Sequence, residues 1–204
     1  MVYKARNSSF GGTVDIHRAC GFTLVAALTL MATAAGAQSD FGRNGVYAGL
    51  AGSLGVYVSE DDIGGNTDID PAVGLNARLG YRLHPHVAAE GEFEWLSEAD
   101  VEVGGSNAGT IEAWTFMAGL KVFALPDRLQ PYLGLALGGM VAEAESGPLD
   151  NTESSFALRV GGGLDVYITR NIYGNFGISY VIPTDDMLDE LDYVSFGWGL
   201  GYRF

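Results

Sequence analysis

Several charged residues in this chain repeat at a spacing of two. Arg78 and Arg82 flank Gly80, and Glu90, Glu92 and Glu94 follow on the next alternating stretch. A spacing of two places side chains on one face of a β-strand. Lys121, Arg159, Asp165 and Arg203 occupy matching positions on other alternating stretches. Charges on a face turned away from water must be paired or kept wet. The nine residues therefore predict an internal ion-pair network. A network that fixes the structure and a polar conduit for small ions both need these residues, and the spacing alone does not separate the two.

Catalytic chemistry has little to work with. A nucleophile needs a base within hydrogen-bond reach. Past the first 37 residues the only histidines are His84 and His86, together in the turn His84-Pro85-His86, and no G-x-S-x-G occurs. No enzyme is expected. The one cysteine, Cys20, excludes a disulfide framework and a Cys-rich zinc site. Carboxylates are abundant. Glu60, Asp61, Asp62, Asp68 and Asp70 form one group; Glu98, Asp100 and Glu102 a second. Glu143, Glu145, Asp150 and Glu153 form a third; Asp185, Asp186, Asp189, Glu190 and Asp192 a fourth. Carboxylate oxygens suit Ca²⁺ or Mg²⁺. The segment from Asp61 to Asp68, however, lacks the closing Glu of an EF-hand loop. Neither a metal nor a cofactor is expected. A formal net charge of −14 excludes nucleic acid as partner.

The first 37 residues differ from the rest. Lys4, Arg6 and Arg18 precede an uncharged stretch from Ala19 to Ser39 with the apolar core Phe22–Met31. It ends in Ala35-Gly36-Ala37, followed by Gln38. Basic start, apolar middle and A-x-A end predict a secretory signal peptide cleaved after Ala37. Losing three basic residues and Asp15 makes the exported chain still more acidic. Residues 38–44 are then a short N-terminal segment on the periplasmic side, and residues 45–204 one domain.

The elements that must position the charges are strands. No later window has 18 uninterrupted apolar residues, so no further membrane helix is expected. Mean hydropathy is only +0.15. Alternation recurs instead, most clearly at the end. Val194, Phe196, Trp198, Leu200, Tyr202 and Phe204 oppose Ser195, Gly197, Gly199, Gly201 and Arg203. Seven earlier stretches behave alike, which predicts eight strands. The acidic connectors 59–70, 98–109, 144–152 and 183–191 are long. The connectors 84–86, 124–130 and 169–171 are short. Alternating long and short connectors predict an antiparallel up-and-down meander.

The face carrying the charges is otherwise Gly, Ala, Ser and Asn, while the opposite face carries Leu and aromatics. An eight-stranded barrel has room only for small side chains inside. Bulky apolar residues then belong outside, where only lipid makes them stable. The expected fold is all-β: an eight-stranded antiparallel transmembrane barrel. Tyr47, Tyr57, Tyr81, Trp95, Trp114, Tyr132, Tyr173, Tyr180, Tyr193, Trp198, Tyr202 and Phe204 are expected as interfacial girdles near strand ends.

The closing pattern Phe196-x-Trp198-x-Leu200-x-Tyr202-x-Phe204 and the Gly-rich opening strand Gly45–Gly52 carry a resemblance. Over residues 41–204 the chain resembles the small outer-membrane β-barrel family. That family includes the OmpA transmembrane domain, OmpX-like proteins and opacity-type surface antigens. The resemblance implies location in a Gram-negative outer membrane, in contact with its lipid and lipopolysaccharide. It also implies that Phe196, Trp198, Leu200, Tyr202 and Phe204 form the signal read by the barrel-assembly machinery, with periplasmic chaperones handling the chain earlier. A monomer with a structural or cell-surface interaction role is expected, or else a small porin-like conduit. With no further C-terminal domain, peptidoglycan anchoring of the OmpA kind is not implied.

Overall fold

The chain closes an antiparallel barrel because each alternating stretch pairs with its neighbours and the first meets the last. In the computed structural model the strands are β1 (Gly45–Tyr57), β2 (Thr67–Ile69), β3 (Ala72–His84), β4 (Val87–Val103) and β5 (Ser106–Phe123). They continue with β6 (Leu129–Ser146), β7 (Leu149–Tyr167), β8 (Ile172–Pro183) and β9 (Tyr193–Arg203). The structure describes residues 40–58, 67–103, 106–146, 149–184 and 192–204. The expected signal peptide, with Ala35, Ala37 and Gln38, lies outside the described residues, as do all the acids of the stretches 59–66 and 185–191.

Pairing runs β1–β3–β4–β5–β6–β7–β8–β9 and returns to β1. The wall therefore has eight strands. β2 continues β3. Ile69 faces Val101 and Gly74 faces Leu96, so both keep one register against β4. Asp70 and Pro71 interrupt them, since proline has no N–H to give to the ladder. Closure leaves no edge within lipid, where an unpaired backbone group has no water to turn to.

The outward face is the apolar one. Leu50 is 72% exposed, and Leu75, Leu79, Phe116, Leu120, Leu135, Phe176, Trp198 and Leu200 are also exposed. Their neighbours in sequence point inward and are buried or half-buried.

Two expectations need correction. The stretches 98–109 and 144–152 are not long loops. β4 extends to Val103 and β5 begins at Ser106; β6 extends to Ser146 and β7 begins at Leu149. Glu98 and Asp100 alternate with inward Ala99 and Val101, so these acids are the water-facing side of strands. β5 and β6 have 18 residues, against 11 in β9. At ~3.3 Å per residue the excess is roughly 20 Å of strand. β2 and the strands β4–β7 therefore project beyond β1, β8 and β9.

Second, the aromatics do not all face lipid. Tyr47, Tyr57, Tyr173 and Tyr193 are buried inside. Tyr132 also points inward, its ring beneath Lys121. Their parity decides this: Tyr47 lies on the face of Ala51 and Ser53, not on that of Leu50. Two apolar layers result. One joins Tyr47, Ala88, Phe123, Tyr167 and Tyr173 at the short-turn end. The other joins Tyr57, Leu96, Ile111, Met140, Val181 and Tyr193 toward the opposite end.

Glycine makes the room for them. Tyr47 faces Gly80 across β1–β3, and Tyr173 faces Gly201 across β8–β9. A Cβ on either glycine would run into the tyrosine ring. Gly80→Ala and Gly201→Ala are each expected to destabilise the folded barrel by ~1–3 kcal/mol through overpacking. Urea unfolding in detergent micelles measures this. Stability equal to the parent in both variants would show that the rings have other places to go.

Candidate functional site

Between the two apolar layers the barrel is polar. The polar side chains form one continuous chain of contacts. Tyr47 donates to Glu90 at 2.8 Å. Lys121 lies 3.9 Å from Glu90 and 3.2 Å from Asp165. Asn175 donates to Asp165 at 2.5 Å and accepts from Arg78 at 2.7 Å. Arg78 also donates to Asn76 at 2.8 Å, and Asn76 donates to Glu92 at 2.6 Å. Arg159 pairs with both Glu92 and Glu94. Glu94 further accepts from Tyr193 at 3.0 Å and from Ser195 at 2.6 Å. Tyr132 joins through its ring, 3.7 Å from the Lys121 ammonium, and through Asn175 at 3.1 Å.

All eight wall strands contribute. Each apolar layer sends one hydroxyl into the polar zone: Tyr47 from one side, Tyr193 from the other. Seven of the nine residues singled out from sequence are thus brought together: Arg78, Glu90, Glu92, Glu94, Lys121, Arg159 and Asp165. Arg78 faces Glu92 in the register, yet its bonds go to Asn76 and Asn175. Spacing of charges does not find Asn76, Thr115, Tyr132, Asn175, Tyr193 or Ser195. Parity does mark them, because each shares the inward face of its strand.

Arg82 and Arg203 stand apart. Each is only 1% exposed. Among the described residues neither makes an ion pair. Arg82 donates to Gln130 at 2.6 Å and to the Pro85 carbonyl, with its guanidinium 3.7 Å above the Phe123 ring. Arg203 donates to the Phe41 carbonyl and lies 5.0 Å from the Tyr167 ring. The Tyr47–Tyr167–Tyr173–Phe123 layer separates them from the carboxylates. Carbonyl oxygens and ring faces take the place of anions there.

A cavity of about 70 Å³ in the polar zone is bordered by Arg78, Glu90, Glu92, Lys121, Tyr132 and Arg159. That admits a handful of waters. At the short turns, His86 lies 2.9 Å from the Phe123 carbonyl through Nδ1, and the His84 and His86 rings are 5.9 Å apart. Phe196, Trp198, Leu200, Tyr202 and Phe204 all lie on the outward face of the β9 end.

Arg159 bridges two carboxylates, so its loss leaves both without their cation. Arg159→Met is expected to cost ~3–5 kcal/mol, as breaking a buried pair does. Adding Glu94→Gln in that background should restore part of the loss. Chemical unfolding of the refolded protein checks this; an Arg159→Met variant as stable as the parent would dismiss the network as a stabilising element.

The family described as outer membrane protein beta-barrel domain matches residues 23–204. No curated protein sequence matches the chain. Among solved structures, Neisserial surface protein A is similar at 16% identity and a TM-score of 0.59, covering 78% of this chain and 97% of that one. OprG from Pseudomonas aeruginosa is similar at 15% identity and a TM-score of 0.60, with 78% and 96% covered. The Yersinia pestis attachment invasion locus protein Ail is similar at 20% identity and a TM-score of 0.52, with 79% and 97% covered. At these identities the likeness is one of fold. Closed eight-strand topology, an apolar outer face and the family match agree: the chain belongs to the outer membrane protein beta-barrel domain family, as an integral β-barrel protein of the Gram-negative outer membrane.

Proposed function

We propose that this protein serves as a structural and surface-interaction barrel, without enzymatic activity and without a conducting path. The observation that carries this is the filled interior. Two aromatic and apolar layers bracket the ion-pair chain, and the cavity bordered by its charges is small, about 70 Å³. An ion crossing such a barrel would have to displace paired charges in a narrow, low-dielectric space, which is costly.

The projecting wall supports the interaction role. Beyond Trp95 and Trp114 the outward face of β4–β6 turns acidic, with Glu98, Asp100, Glu112 and Glu143. Trp95 donates its indole N–H to Glu112, which marks the passage from apolar to polar surface. An amphipathic ring bonded to a carboxylate suits a membrane interface. We assign this end to the cell exterior and the short turns to the periplasm. The acidic wall then suits partners with basic surfaces. Export by a signal peptide cleaved after Ala37 accords with this placement, as does entry as a monomer through the barrel-assembly machinery by way of β9.

Planar-bilayer recording of the refolded protein tests the reading. No discrete, salt-dependent conductance steps are expected from the parent. Stable unitary steps would favour the small conduit instead. A folded, unboiled sample should also migrate differently from a boiled one on a gel, as a closed barrel does.

A further inference from the structure

Residues Asp40–Asn44 precede β1, and their contacts cross the short-turn mouth of the barrel. The Phe41 ring lies 5.4 Å from that of Tyr167 on β7. The Phe41 carbonyl accepts from Gln130 at 3.1 Å and from Arg203. Gly42 is buried, and a Cβ placed on it would meet Pro126 at 2.8 Å and Pro85 at 3.3 Å. Asp40 pairs with Arg170 at 3.4 Å. Five residues thus reach all three short turns, at Pro85, Pro126 and Arg170, and the end of the last strand.

The two buried guanidiniums explain why this matters. Arg82 and Arg203 are separated from the carboxylates by the aromatic layer. Gln130 accepts from Arg82 with its oxygen and donates to the Phe41 carbonyl with its nitrogen. Arg203 uses the same carbonyl. One backbone oxygen therefore anchors both cations, directly or through Gln130. A buried guanidinium deprived of its acceptor carries the full desolvation cost. Arg203 also stands at the seam where β9 meets β1. There the Phe204 amide donates to the Val46 carbonyl at 3.0 Å, and Asn171 donates to the Arg203 carbonyl at 2.6 Å.

We infer that residues Asp40–Asn44 are a strap that seals the short-turn mouth and clamps the seam between the first and last strands. The strap works from the side opposite the projecting wall and is independent of the ion-pair chain. Gly42 is its tightest point, because no larger side chain passes between Pro85 and Pro126.

Amide hydrogen exchange of the full chain in micelles tests this. In Gly42→Val the amides of Phe204, Tyr167 and Phe123 should exchange at least ~10-fold faster than in the parent, while those of Ile111 and Ala142 stay unchanged. Phe41→Ala should show the same pattern more weakly, and it reads the proposal by itself if Gly42→Val does not fold. Arg203→Met should accelerate the same amides, and adding Gly42→Val to it should add little, since both release one clamp. Unchanged exchange at the mouth in a folded variant would overturn the strap. So would equal acceleration at both ends, which marks a general loss of stability.

Discussion

Charge inside a lipid-encased barrel has to be neutralised by the barrel itself. A soluble protein can let a charged side chain reach water. Here the outside is hydrocarbon and both ends of the interior are packed, so Glu94 and Arg159 have no such escape. The response is a contact chain in which almost every charge is shared. Arg159 serves Glu92 and Glu94, and Lys121 serves Glu90 and Asp165. Asn76 and Asn175 fill the gaps, each donating to a carboxylate and accepting from Arg78. Because the chain passes through every wall strand, slipping any strand by one residue would turn its charged or polar members into lipid. The network thus holds the register that the backbone ladder alone leaves open.

Volume is the second constraint, and it follows from the first. Eight strands leave little internal room, and the charged side chains occupy its middle. The tyrosines that close the short-turn end must therefore lie flat against the wall. They do so where the opposite residue is glycine, as Tyr47 does over Gly80 and Tyr173 over Gly201. Many described glycines, Gly80 and Gly201 among them, fit this use better than flexibility does. Apart from Gly45 and Gly109, at φ values of 150° and 159°, no described residue has a positive φ. The glycines serve as space.

Period-two alternation made the fold legible from the residues alone, because lipid outside and charge inside sharpen the contrast between the two faces. The same contrast misled where its terms changed. Tyrosine counts as apolar at an interface and as a polar donor inside, so Tyr47 and Tyr193 read as girdle residues although their parity placed them within. Glu98 and Asp100 read as loop because acids and Gly104-Gly105 suggest turns. Past the membrane, however, water replaces lipid as the outer solvent, and alternation simply continues with acids outside. Arg82 and Arg203 were legible as inward but not as separate from the network, since separation depends on which layer an aromatic ring occupies. The strap had no sequence signal beyond its position: Phe41 and Gly42 show no period, and their partners lie up to 162 residues away.

These layers divide the molecule's tasks along its axis. The middle fixes the register, the aromatic layers exclude water, and the strap meets the cations that the middle cannot reach. Ala99, Ile111 and Ala142 still belong to the inner apolar layer, but the acids on the outward face of β4–β6 take part in none of these tasks. Those strands run beyond β1, β8 and β9, and Glu98, Asp100, Glu112 and Glu143 face outward there. Sequence change there costs the barrel little, whereas a change at Arg159 or Gly80 disturbs a shared contact. A barrel built this way can keep its interior constant and let the projecting wall take on the chemistry of whatever it meets.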